Sequence, residues 1–494
     1  MATPFFLSKS RFLAGLQCPL RLWYLLYEPA LASEPSLFQK ALFDTGRRIG
    51  ELARERYAGG VLIGEDHVHH EDAIRSTEEV LKNSRVPAIY EAAFSFDEVR
   101  IRTDILERPT GGSWDLIEVK SGTSVRDENV CDVAVQYYVL VGLGLEIGQA
   151  GILCLNRGYL YDGEKLDLEA LFTFNDLTEQ IVARQSEVTG AIRELKAMLR
   201  QEAHPAIEPS RHCHRPYACE FFDHCRKRVP DHWVLQLSGI RQERLDELAI
   251  RGILDIQDIP QSVDLSALQA RIRGCVVNDA EYLGADLGPT LKQYEYPIHF
   301  LDFEAVAPAI PRYANTHPYQ IMPFQWSDHI LSEGGTLTHK AFLCEEDKDP
   351  RIEAARTLLE SLREEGTICT YTTFENQVIS SLADHLPEYR DQLQALLGRC
   401  RDLYAEIRMN YYHPEFHGSF SIKNVLPVLV PSMSYADLSI QEGGQAGLEY
   451  LRTIDPETPL EERERIRRAL LEYSRQDTLA MVRIREELLK RSKG

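Results

Sequence analysis

No apolar run in this 494-residue chain approaches the length that crosses a bilayer, about 20 residues. A helical membrane protein is therefore not expected. The opening stretch MATPFFLSKSRF lacks the basic and apolar succession of a secretory signal, so a cytoplasmic location is the expectation. Positive charge is in deficit: 55 Lys and Arg stand against 76 Asp and Glu, a net charge of −21. Such a chain has no global field for non-specific binding to nucleic acid. It can handle phosphates only locally, with metal ions supplying positive charge. Ten cysteines in a long cytosolic chain do not make a disulfide framework; metal binding or core packing is the alternative. Internal repeats, low-complexity tracts and long linkers are also missing.

What is present is a globular composition, 44% hydrophobic and 27% charged, in a chain long enough for several domains. Three zones are expected. Residues 1–230 mix helical and strand patterns and end in HCHRPYACEFFDHC. Residues 231–290, with LSGIRQERLDELAIRGILDIQDIP, show helical spacing broken at a Gly-Ile step. Residues 291–494 alternate strand-like and helical patterns and close on a charged amphipathic helix over roughly 461–490.

WDLIEVKSG (114–122) reads as a strand whose alternation puts Glu118 and Lys120 on one face. VRIRTDIL lies just upstream, with RPTGGS between, so a hairpin would bring Asp104 to the same place. Two carboxylates suit a hard divalent cation, and an ammonium can stabilise charge building on a phosphate. A surface ion pair on an edge strand is the simpler alternative. A helix follows, DENVCDVAVQYYVLVGLG, with Gln136, Tyr137 and Tyr138. The order D…ExK…QYY resembles the PD-(D/E)XK nucleases, particularly the RecB-like branch. The resemblance implies Asp104 and Glu118 as metal ligands, Lys120 as the group assisting the attacking water, and Gln136 on the helix packed against the site. Tyr138 is a looser match. Where those relatives carry an upstream His, this chain offers Gly50, Glu51 or Glu91.

Cys18 follows a short helix that Ser8 or Ser10 can cap, with Pro19 marking a break. Cys213, Cys219 and Cys225 cluster two hundred residues later. Four thiolates suit an iron–sulfur cluster or zinc. The pattern resembles the cysteine staple of RecB-like nucleases of the AddB and CRISPR-associated types, which implies a structural 4Fe–4S cluster. The familiar C-x-x-C pair is missing, so zinc stays open, with His212, His214 and His224 as substitute ligands. Cys131, Cys154, Cys275, Cys344, Cys369 and Cys400 read as small core residues.

PIHFLDFEAV places Asp302 and Glu304 on one strand face, where they repel unless a cation sits between them. LLEYSRQDTLAMV puts Tyr473 and Asp477 on one helix face. Between them, TICTYTTFENQVI offers Glu375 and CRDLYAEI offers Asp402. D-x-E, a mid-chain acid and Y-x-x-x-D resemble the Tyr-containing DEDD exonucleases of RNase H-like (DnaQ-type) fold. The resemblance implies Asp302, Glu304 and Asp477 as ligands of two metal ions, with Glu375 or Asp402 as a further one. Tyr473 would position the water. Asn376 and Lys423 are candidate substrate contacts, although a structural role fits both.

The expectation is an α/β multidomain chain: a PD-(D/E)XK restriction-endonuclease-like domain, a helical connector faintly like a helix-hairpin-helix, and an RNase H-like exonuclease domain. It would hydrolyse phosphodiester bonds with Mg²⁺ or Mn²⁺ at two sites and act on single-stranded ends of DNA or RNA. Protein partners in DNA repair or defence are compatible with this. A binding scaffold on nuclease folds that have lost turnover is the alternative.

Overall fold

In the computed structural model the described residues are 6–66, 68–110, 112–363 and 365–493. Residues 1–5, part of the stretch read for a signal sequence, lie outside them. No helix among the described residues is long and apolar enough to cross a membrane. The chain is a mixed α/β protein of two compact units. The first runs through Lys227 and includes Pro308–Gln320; the second comprises Arg228–Ala307 and everything from Ile321 onward.

The first unit is built on β1 (Leu7–Ser8), β2 (Val61–Leu62), β3 (Ala88–Phe96), β4 (Val99–Glu107), β5 (Trp114–Lys120), β6 (Ile147–Leu155) and β7 (Phe172–Asp176). Six of them lie in the order β2-β3-β4-β5-β6-β7, and β1 adds in parallel to β4. β3, β4 and β5 form an antiparallel meander. The helix Asp127–Gly142 then carries the chain over to β6, which runs parallel to β5. The expected hairpin is therefore present. β5 is an interior strand, which removes the edge-strand reading of Glu118 and Lys120. Successive residues feed two cores: Leu106, Leu116 and Ile152 pack in one, and Ile105, Ile117 and Leu153 in the other. That is why these strands read as nearly continuous apolar runs.

The second unit holds β8 (Tyr282–Leu283), β9 (Ile298–Val306), β10 (Met322–Leu331), β11 (Leu337–Leu343), β12 (Ile368–Thr370), β13 (Cys400–Asp402) and β14 (Tyr411–Tyr412). Five form a sheet in the order β11-β10-β9-β12-β13. β9, β10 and β11 are antiparallel, whereas β12 and β13 run parallel to β9. β8 and β14 pair as a small antiparallel ribbon. The final helix, Leu460–Arg491, packs on β9 and β10 and buries Ile466, Leu470, Tyr473, Met481 and Ile484.

Residues 231–290, expected as a helical connector packing the two domains, belong to this unit. Its helix Ala267–Asn278 carries Arg271, which donates to the carbonyls of Arg408 (3.1 Å) and Met409 (2.5 Å). Gly418, at φ 76°, presses so close to the Gln236 carbonyl that an added Cβ would lie 1.8 Å from it. Only glycine meets both demands. The division between the units falls near residue 228, beside the change of pattern expected at 230, and backbone packing binds the segment that follows to elements C-terminal to it.

Candidate functional site

The sharpest gathering of ligand-type groups is in the second unit. Side-chain alternation on β9 sets Asp302 and Glu304 together, and the helix Leu460–Arg491 brings Asp477 against them. One ligand oxygen from each lies within 4.8 Å of the others. The helix is fixed by hydrogen bonds to β10: Gln325 Nε2 donates to the Leu470 carbonyl at 2.9 Å, and Ser327 and Thr478 hydroxyls meet at 2.9 Å. Asp302 keeps one carboxylate oxygen buried without a hydrogen-bond partner. Such a group is costly unless a cation or a proton compensates it.

The electrostatics agree with a site short of positive charge. Burial, then the charges of Asp477, Glu304 and Glu375, push Asp302 well above the usual carboxylate range. Burial and Asp477 push Glu304 up to about 8, with Lys423 opposing. Asp477 rises to about 6 through burial, held back by the Tyr435 hydroxyl, Lys423 and the Tyr473 hydroxyl. Tyr435 donates to Asp477 Oδ1 at 2.5 Å. Lys423 Nζ stands 5.8 Å from the ring centres of both Tyr435 and Tyr473. Asp302, Glu304, Lys423, Tyr473 and Asp477 line a pocket of about 290 Å³.

The two mid-chain acids divide. Glu375, in the first turn of the helix Phe374–His385, is 3% exposed and has a buried oxygen without a partner. Burial, with Asp402 and Asp477 adding, drives it to about 8, its backbone amide opposing. It is close enough to raise Asp302 and Glu304, yet it is not one of the gathered three. Asp402 is spent otherwise. It caps the helix Leu403–Asn410, accepting the Ala405 amide at 3.2 Å, and takes the Thr372 amide at 3.1 Å. Thr372 sits at φ 115°, strained for a β-branched residue, immediately before the Glu375 helix. Asp402 thus positions the loop that carries Glu375 and does not enter the acidic pocket.

In the first unit Asp104, Glu118, Lys120 and Gln136 come together as the sequence suggested, with two additions. Lys120 Nζ donates to Glu118 Oε1 (2.8 Å) and Asp132 Oδ2 (2.5 Å). Gln136 Nε2 donates to Glu118 Oε2 at 2.8 Å. Lys9, from the N-terminal helix Lys9–Gln17, donates to both Glu118 oxygens at 2.8 and 3.0 Å and lies 3.4 Å from Asp132. Burial raises Glu118, but Lys120 and Lys9 overcome it and hold its carboxyl far below the usual range. Asp104 accepts the Val119 amide at 2.7 Å; burial and the Glu118 charge push it up to about 7, with both lysines opposing. Asp104, Glu118, Lys120 and Glu91 border one cleft of about 450 Å³. Gly50 lines it as well, so the helix position with the upstream-ligand spacing faces the site without a side chain. Tyr138 points elsewhere, donating to Asp97 at 2.9 Å. Lys9 and Asp132 were missed. Lys9 lies over a hundred residues upstream of Glu118, although the Asp132 to Gln136 spacing of one helical turn was visible.

The four cysteines converge on the ends of the first unit. Cys18, Cys225 and the half-buried Cys219 share an apolar cluster with Leu20, Tyr24 and Phe221. The Cys219 amide donates to the Cys213 carbonyl at 2.8 Å. Gln17 Nε2 donates to the carbonyls of His212 (2.6 Å) and Tyr217 (2.8 Å), tying the N-terminal helix to the late cysteine segment. Ser8 caps that helix as expected, while Pro19 starts the next helix, Pro19–Tyr27, at its first turn. Burial raises the thiols of Cys18 and Cys219, the latter to about 12. The thiols do not meet the 4.8 Å spacing of the acidic trio. Of the other six cysteines, Cys154, Cys275, Cys344 and Cys369 are buried, and Cys131 and Cys400 half-buried.

A family model described as a domain of unknown function (DUF2779) matches residues 299–421. The match takes in Asp302, Glu304, Glu375 and Asp402 and stops before Lys423, Tyr435, Tyr473 and Asp477. No curated protein matches the chain.

Proposed function

We propose that the protein is a metal-dependent nuclease that hydrolyses phosphodiester bonds at the second-unit site. The observation that carries this is the trio of half-buried Asp302 with buried Glu304 and Asp477, an Asp302 oxygen being left without a partner. These three would hold Mg²⁺ or Mn²⁺, with Glu375 behind them. A divalent ion there supplies Lewis-acid activation of water and neutralises the leaving oxygen. Tyr473 and Tyr435 orient Asp477, and Tyr473 borders the pocket where a water would stand. Lys423 offers a cation to a phosphate at the rim. The strand order β11-β10-β9-β12-β13 supports an RNase H-like fold, for which the resemblance implies trimming from a 3′ end.

The first unit's meander, crossover helix and parallel strand support a PD-(D/E)XK fold in the same way. Asp104, Glu118 and Glu91 would be its metal ligands, and Lys120 the group facing the attacking water. Cys18, Cys213, Cys219 and Cys225 would hold a structural 4Fe–4S cluster, with zinc as the alternative. One observation favours a second reading for this site. Both Glu118 oxygens are already taken by Lys9, Lys120 and Gln136, which suits a module that grips a strand without turnover.

End-labelled single-stranded DNA and RNA incubated with Mg²⁺ or Mn²⁺ test the proposal. The wild type should shorten the strand stepwise, and Asp477→Asn should remove that pattern. A scaffold would cut nothing, and Asp477→Asn would match the wild type.

A further inference from the structure

The helix Leu37–Arg56 carries two glycines in its interior, Gly46 and Gly50. Each costs about 1 kcal/mol of helix stability relative to alanine. Close packing would justify that cost, but nothing packs there: a Cβ added at either glycine meets no atom within 4 Å. Both glycines line the cleft that reaches Asp104, Glu118 and Lys120. They belong to an i, i+4 row, Phe38, Leu42, Gly46, Gly50 and Arg54, with Phe43 and Arg47 beside it. The row is about 24 Å long at the helical rise. Its far end is apolar and open to solvent: Leu42 is 52% and Phe43 62% exposed. Its near end carries Arg47 and Arg54, which stand 3.3 Å from Asp44 and 3.9 Å from Glu91. The helix holds five basic and three acidic side chains in a chain whose net charge is −21.

Apolar rings, then bare backbone, then guanidinium groups, ending at an acid–lysine site, match one ligand chemistry. We propose that this helix face is a platform for a single-stranded nucleic-acid end. Bases lie against Phe43 and Leu42, the strand passes over Gly46 and Gly50, and Arg47 and Arg54 meet its phosphates. A flat aromatic side chain accepts a base only when that base is unstacked, so the platform selects single strands over duplex. That the strand is also cut rests on the nuclease reading of the first-unit site; that it binds does not.

The test uses the full chain and a 5-iodouracil-substituted strand, photocrosslinked and mapped by mass spectrometry. Crosslinks are expected on Phe38 or Phe43 with the single strand and not with the same sequence in duplex. Gly46→Leu with Gly50→Leu fills the groove with better helix formers. It should leave the Tm equal or higher while lowering crosslink yield about tenfold or more. The proposal is overturned if residues 37–56 carry no crosslink, or if the groove-filled variant crosslinks there like the wild type. Asp104→Asn separates the two readings. Crosslinking kept and first-unit cleavage lost supports both; crosslinking in a protein whose first unit never cuts leaves the platform standing and removes the nuclease reading of that site.

Discussion

Glu118 is 2% exposed and bonded to two ammonium groups and one amide. A buried carboxylate holds its charge only with such partners, and removing one leaves the remaining charge uncompensated. Lys9→Met should therefore destabilise the first unit by about 3 kcal/mol. Urea unfolding of Lys9→Met, Glu118→Gln and the double variant checks this. The second substitution should cost less in the Lys9→Met background, whereas additive costs would show that the two do not act together. The residue scale also shows where sequence reasoning stopped. Glu118, Lys120, Asp302 and Glu304 were legible because a period of two on an apolar strand leaves no other face for them. Tyr435 was not, since a tyrosine in a loop carries no pattern until the fold sets it beside Asp477, and Asp132 showed only its one-turn spacing from Gln136. Asp402 could not be told from Glu375, because an N-cap and a metal ligand call for the same side chain.

At the scale of elements, the β4–β5 hairpin and the closing helix were readable from period and length. The turn between β3 and β4 was not. Asp97 and Glu98 both adopt positive φ, 47° and 57°, where Asn-Gly is the usual signal. Distant side chains hold it: Lys196 pairs with Asp97 at 2.9 Å, and Arg200 with Glu98 at 3.1 Å. The packing of the closing helix on β10 has a pH signature. His329 Nδ1 meets the Thr478 hydroxyl at 2.7 Å, and burial, with His339, Arg475 and Arg483 adding, lowers its pKa from 6.5 to about 3. The folded state therefore binds the proton less readily than the unfolded chain. Stability from this site is complete above about 6.5 and is lost as pH falls from there toward about 3. Thermal melts from pH 7 to pH 4 should show a falling Tm with a flatter slope in His329→Gln. An unchanged slope would assign the acid sensitivity elsewhere.

At the scale of the whole molecule, a chain with 76 acidic residues concentrates carboxylates in two pockets, one in each unit. Lysines balance the first, and the second is left with an oxygen that nothing satisfies. If Cys18, Cys213, Cys219 and Cys225 hold the proposed 4Fe–4S cluster, anaerobically purified protein should be brown, with visible absorbance that Cys225→Ser abolishes. A colourless, zinc-containing protein would assign the thiols to zinc. The division at residue 228 lies beside the change of pattern near 230, whereas the packing of residues 231–290 into the second unit leaves no mark in composition.

The proposed chemistry stands or falls on whether the second unit's acids are built to hold divalent cations. Anomalous diffraction from crystals soaked in Mn²⁺ answers that without recourse to activity. An ion coordinated by Asp302, Glu304 and Asp477 is expected, and it should disappear in Asp477→Asn; an ordered trio with no anomalous density at saturating Mn²⁺ would refute the metal site.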